Sequence, residues 1–155
     1  MILQKEELTI DTNSELILGS GSLARKELLA SVGLVPSKII VPDVDESFNS
    51  NEDPLTYVKR IAKEKASTIS CQNTSFLVTA DTIVTVGKQI LPKTSNEGVA
   101  IEYLRMLSGR RHKVFTAFCV KHHGLLRLNL VKTTLRMRLL TEKEIKAYIA
   151  SSEWV

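Results

Sequence analysis

Several charged side chains stand where simple solvation does not explain them. Asp81 interrupts an apolar run, with Phe76, Leu77 and Val78 before it and Ile83 and Val84 after it. A carboxylate there either ends a strand, closing an Asx turn with Thr82, or lies partly buried and perturbed. Asp43, Asp45 and Glu46 crowd one stretch of loop. Such a cluster is either solvated or holds a divalent cation through its oxygens. Lys65 falls on an apolar stripe formed by Leu55, Val58, Ala62, Ala66 and Ile69. A lysine on a core-facing stripe must snorkel to water or meet an anion. Arg25 precedes Leu28, Leu29 and Val32 at helical spacing, which places it in a first turn on the face expected to be buried. A helix N-terminus disfavours a cation unless an anion is also held there. The turn Gly19-Ser20-Gly21-Ser22 offers small side chains and free N–H groups as the other wall of an anion pocket. Lys93, after Leu91-Pro92, is either a second phosphate contact or an ordinary loop lysine. Hydrolysis of a phosphoanhydride needs such a set: carboxylates for a metal, cations for phosphate oxygens and a base for water.

Secondary structure must bring these positions together. ELILG (15–19) reads as a buried strand, LARKELLASVG (23–33) as a helix stopped by Gly33, and SKIIVP (37–42) as a second strand. A polar loop follows at 43–51. Asp53-Pro54 opens a long helix running to about Ser70, with Asp as N-cap and Pro in the first turn. FLVTADTIVTV (76–86) is a strand region that the pattern breaks at Ala80-Asp81-Thr82, and Gly87-Lys88 is a turn. Thr94 to Glu97 has the spacing of a capping box before a helix. Residues 112–122 and 126–140 read as strands of a hairpin turning at Gly124. Thr141 to Glu144 is a second capping box before a last helix. The order β-α-β-α-β-β-α-β-β-α predicts an α/β protein with a mixed sheet flanked by helices.

Composition narrows the class. The chain has 155 residues, 43% hydrophobic and 25% charged, with 7 Gly and 4 Pro, which is ordinary for one globular domain. No run approaches the roughly 20 apolar residues of a membrane span, and residues 1–14 form a polar leader rather than a signal peptide. Cys71 and Cys119 form no CxxC pair and His122 and His123 no zinc pattern. The thiols read as buried and free, which fits a cytoplasmic location. The net charge of +4 permits a polyanionic partner. Aromatic residues are only 5% and do not alternate with basic ones, so no nucleic-acid partner is expected.

In order and spacing, LILGSGSLARKELL, VDES, YVKRIAKEKA, ADTIV, LPKTSNEGVAIEYLRMLSGRRHKVFTA and EIKAYIASSEW resemble the motifs of the Maf family. These are nucleoside triphosphate pyrophosphatases related in fold to the inosine-triphosphate pyrophosphatases. The resemblance covers 15–154 and implies an ITPase-like fold with a central cleft. It implies Ser20, Ser22 and Arg25 as phosphate contacts, with Leu23 and Ala24 departing from the family's SxSPRR block. It implies Glu46 as the metal-site carboxylate, Lys65 as the lysine of the EKA block and Asp81 as the catalytic aspartate, which also serves the metal. Thr82 matches the subgroup acting on dTTP and UTP. Lys93 keeps the lysine of the KP block, and Thr94 replaces its proline.

The cofactor so implied is Mg²⁺ or Mn²⁺ and the partner a nucleoside triphosphate. Family members continue past the SSEW position, so the reading is one domain over 1–155, truncated at the C-terminus, with a homodimer as one way to complete its core. A role in restraining septum formation is also attached to the family. The rival readings are a catalytically impaired nucleotide-binding or interaction protein of the same fold, and a dinucleotide-binding unit built on Gly19-x-Gly21-x-x-Ala24.

Overall fold

The computed structural model describes residues 14–154, so the leader expected over 1–14 lies almost wholly outside the described residues. Strand β1 (Leu16–Gly19), helix α1 (Leu23–Ser31) and strand β2 (Lys38–Ile39) open the fold. Helix α2 (Pro54–Thr68) follows, then strands β3 (Phe76–Val86) and β4 (Gln89–Leu91). Helix α3 (Glu97–Leu107), strands β5 (Arg111–His122) and β6 (Leu125–Arg136), and helix α4 (Glu142–Ala150) complete it.

The six strands form one mixed sheet in the order β2-β1-β3-β5-β6, with β4 paired to β3. β1 is parallel to β2 and β3, whereas β3, β5 and β6 run antiparallel. The parallel half is one βαβαβ unit, β1-α1-β2-α2-β3, and the antiparallel half supplies no second one, so the paired mononucleotide halves of a dinucleotide-binding domain are not formed. The mixed α/β sheet flanked by helices is the class expected from the sequence.

The core lies between one sheet face and α2. Val58, Ile61, Ala62 and Ala66 of the helix pack on Ile83, Phe115, Ala117 and Cys119. Val58 and Ile61 are completely covered, and each such side chain contributes about 1.5–3 kcal/mol relative to exposure. β1 meets β3 closely at Gly19, where an added Cβ would lie 2.6 Å from Thr79 Cγ2 and 2.7 Å from Ile69 Cδ1. The β5–β6 hairpin turns on two residues of positive φ, His123 at 48° and Gly124 at 75°. This is the two-residue turn whose twist suits adjacent antiparallel strands.

Several expectations need correction. β3 is unbroken through Ala80-Asp81-Thr82, so Asp81 lies mid-strand and makes no terminal Asx turn; the sixth strand is β4. α1 buries no residue completely, and Leu28 and Val32 are 67% and 69% exposed. Only Arg25 and Leu29 on its inner side are partly covered, because nothing among the described residues packs over the rest of its apolar stripe. The α2 stripe contains Tyr57 and Ile61 in place of Leu55, which stays exposed. α3 is capped by Asn96, whose side chain accepts from Val99 N, so the Thr94–Glu97 box does not form. The Thr141–Glu144 box does, with both reciprocal bonds present. Both cysteines are free, but only Cys119 is buried. No helix among the described residues is long and apolar enough to cross a membrane.

Candidate active site

An extended strand sends successive side chains to opposite faces. In β3 this aims Asp81 at α2 and Thr82 at α1. Asp81 stands opposite Ala117 of β5, whose small side chain crowds neither the carboxylate nor α2.

α2 is set by its first turn, where Asp53 accepts from Leu55 N at 3.0 Å and Thr56 N at 3.2 Å and Pro54 follows. Lys65 follows Ile61 by four residues, so it shares the buried ridge. It meets anions there. Lys65 Nζ donates to Asp81 Oδ1 at 2.9 Å and lies 2.7 Å from Glu46 Oε1. Lys65 is 7% exposed and Asp81 6%. Glu46 reaches the same ammonium from the 43–53 loop with a side chain 53% exposed.

The second cation comes from α1. Ser22 is its N-cap and accepts from Arg25 N at 3.4 Å. Arg25 then folds back across the turn. Its Nη1 donates to Ser20 Oγ at 2.9 Å and its Nη2 to Thr82 Oγ1 at 3.2 Å. Thr82 Oγ1 also pairs with Thr116 Oγ1 at 3.0 Å. Burial pulls the Arg25 guanidinium below its ordinary value, and the charges of Asp81 and Glu46 oppose that pull; an arginine remains protonated through such a shift. Burial also pushes the Tyr57 phenol up to about 12, aided by Asp81 and Glu46.

All eight expected site residues line one cavity of about 910 Å³: Ser20, Ser22, Arg25, Glu46, Lys65, Asp81, Thr82 and Lys93. The crowded acidic stretch divides. Asp45 turns away to accept from Ser47 N at 2.9 Å, and Asp43 borders a separate shallow cleft beside Thr68. Only Glu46 enters the site.

Among the described residues no group of three or more His, Cys, Asp or Glu side chains is placed to hold a metal ion. A hard divalent cation needs less from the protein when a substrate supplies phosphate oxygens: one or two carboxylates suffice. Glu46 and Asp81 each present an oxygen to one point, now the Lys65 ammonium. That oxygen-only pair fits Mg²⁺ or Mn²⁺ sharing its sphere with a polyphosphate.

Sequence reasoning missed Thr116, Tyr57 and Arg60. Thr116 is visible only through the β3–β5 register, which places it opposite Thr82. Tyr57 and Arg60 are three residues apart on α2, a spacing that marks a shared ridge but names no partner.

The fold and the site together define an α/β protein with a cleft for a polyanion. Residues 15–155 match the family described as Maf-like protein, and the chain belongs to that family. It is 42% identical over 141 residues to a nucleoside triphosphate pyrophosphatase of Ehrlichia canis, covering 90% of this chain and 73% of that protein. It is 42% identical over 151 residues to a dTTP/UTP pyrophosphatase of Novosphingobium aromaticivorans, covering 96% of this chain and 75% of that protein. Among solved structures it is similar to the Staphylococcus aureus Ham1 protein, with a TM-score of 0.49 and 13% identity over 79% of this chain and 70% of that one.

Proposed function

We propose that the chain hydrolyses nucleoside triphosphates to the monophosphate and pyrophosphate, with dTTP and UTP as preferred substrates. One observation carries this reading: a buried lysine is held between two carboxylates, in a cavity that also holds an arginine and a serine-lined helix N-terminus. The relatives named as pyrophosphatases support the same reaction, and those named for dTTP and UTP support the preference.

Arg25, Lys65 and Lys93 stabilise charge on the triphosphate oxygens, and Ser20, Ser22 and the first N–H groups of α1 orient them. Asp81 accepts the proton of the attacking water. The water oxygen bonds to the α-phosphorus, the bridge to the β-phosphate breaks, and pyrophosphate leaves with that electron pair. Lys65 holds Asp81 in its rotamer for this task. Glu46 and Asp81 would hold Mg²⁺ or Mn²⁺, which supplies Lewis-acid polarisation of the phosphate when bound. Thr82 and Thr116, on the other sheet face, border the same cavity and contribute to reading the substrate. The exposed apolar residues of α1 support a homodimer, and the free thiols support a cytoplasmic setting.

Asp81→Asn keeps the shape and a hydrogen-bond acceptor but removes the base. Pyrophosphate release from a panel of triphosphates should then vanish while nucleotide binding, read by calorimetry, persists. Release by Asp81→Asn at the wild-type rate would overturn the assignment.

A further inference from the structure

Glu46 enters the site from the 43–53 loop, which contains no helix or strand. Such a segment holds a side chain in place only if its own backbone is tied down. Two side chains of α2 provide the ties. Tyr57 Oη donates to Glu46 O at 2.9 Å, and Arg60 Nη2 donates to Ser47 O at 2.9 Å. Two consecutive carbonyls, beginning at Glu46 itself, are thus held from consecutive positions on one helix ridge.

Arg60 also grips the far end of the loop. Its Nε and Nη2 fork onto Glu52 Oε1 and Oε2, each at 2.8 Å. Glu52 in turn accepts from Asn49 N at 3.3 Å. The Glu52 side chain is only 5% exposed, and its bond to Arg60 holds the carboxyl below the usual range. From behind, Arg60 Nη1 donates to Glu64 Oε2 at 3.1 Å. Phe48 stacks on Tyr57 with centroids 4.1 Å apart, and the Arg60 guanidinium lies 5.5 Å from the Tyr57 ring centre.

We propose that Arg60 and Tyr57 are positioning residues that fix Glu46 in the site by holding its backbone; the catalytic half of the proposal rests on the pyrophosphatase reading above. α2 carries both the ties, at 57 and 60, and the lysine that meets the Glu46 carboxylate, at 65. Loop backbone and side-chain tip are therefore registered to one rigid element. Glu52 and Glu64 neutralise Arg60, so it does not compete with Lys65 for Glu46. Only a planar fork satisfies a carboxylate and a carbonyl together, so lysine cannot replace this arginine.

The test uses Arg60→Met, Arg60→Lys and Tyr57→Phe, the last keeping the ring stack and losing one hydrogen bond. Amide hydrogen exchange is followed over residues 44–52 and over β3 and β5. Mn²⁺ binding is measured by calorimetry on the protein saturated with a non-hydrolysable dTTP analogue, and kcat and KM on dTTP. In Arg60→Met, loss of charge-assisted bonds should speed loop exchange about 10- to 100-fold with β3 and β5 unchanged. Arg60→Lys should behave the same way. In Tyr57→Phe the Mn²⁺ dissociation constant should rise about 2- to 10-fold, the range for one neutral bond. In all three kcat should fall while KM stays within about twofold, since neither residue donates to the phosphates.

Unchanged loop exchange in Arg60→Met overturns the proposal. So does acceleration spread equally over β3 and β5, which would mean global destabilisation. So does a loosened loop with unaltered Mn²⁺ affinity and kcat. Loop exchange and Mn²⁺ binding are independent of turnover. A wild-type protein that releases no pyrophosphate would therefore sink the pyrophosphatase reading and leave the loop ties still testable.

Discussion

Removing the Lys65 ammonium isolates a carboxylate that the fold has already taken out of water. In Lys65→Met the aliphatic stem stays on the α2 ridge and only the charge is lost. Asp81, 6% exposed, is left without its partner, whereas Glu46, with a side chain 53% exposed, can turn to solvent. Breaking a buried ion pair from one side costs about 3–5 kcal/mol. With one of the two carboxylates free to rehydrate, the lower end applies, about 3 kcal/mol. For a chain of this size that lowers the melting midpoint by about 6–12 °C.

Turnover should fall about 10²–10³-fold, the usual effect of deleting one preorganised charge-stabilising donor. The double variant Lys65→Met/Asp81→Asn separates the two effects. It removes the orphaned charge, so it should recover about 0.5–3 kcal/mol of stability through coupling while turnover stays at the floor. Thermal denaturation and pyrophosphate release measure both on the same samples. If Lys65→Met melts less than about 2 °C below wild type, under 1 kcal/mol on this scale, or the double variant is less stable than the single, the ion triad is not the structural and electrostatic centre argued above.

Gly19→Ala should destabilise by about 1–3 kcal/mol through overpacking, because Thr79, within 2.6 Å of the new methyl, is fully buried and stiff at χ1. Denaturant unfolding reads this, and an unchanged midpoint would mean that β1 and β3 have slack. The Glu144 carboxyl, bound by Arg138 and the Thr141 cap, is held down at about 2 from 4.5. Its stabilising contribution is therefore present above pH 4.5 and disappears as the pH falls through about 2. Glu144→Gln should unfold at lower denaturant than wild type at pH 7 and match it near pH 2; a constant difference across that range would assign the effect to the cap's neutral hydrogen bonds.

Much of the site was legible before any coordinates. A lysine on an apolar helical stripe must reach water or an anion, and a carboxylate inside an apolar run needs a cation or a strand end. Both statements follow from the cost of burying an unpaired charge, and in the fold the two residues answer each other. The sequence did not say that they were partners: sixteen positions separate Lys65 from Asp81, and only the packing of α2 on β3 closes that gap. The same packing explains why the expected break in β3 does not occur. A charge breaks a buried strand when nothing compensates it, and Lys65 does. Thr116 became part of the site through the antiparallel register of β3 and β5, which local pattern does not encode.

α1 shows the reverse case. Its apolar spacing at Leu28, Leu29 and Val32 implied burial, yet amphipathicity records only which side a helix prefers to cover, not whether a neighbour is there to cover it. Residue chemistry by itself determined that anions, cations and a phosphate-sized turn had to be reconciled. Tertiary structure alone decided which charge meets which, and that the loop carrying Glu46 is held by the helix carrying Lys65, because those pairings depend on distances between elements far apart in the chain.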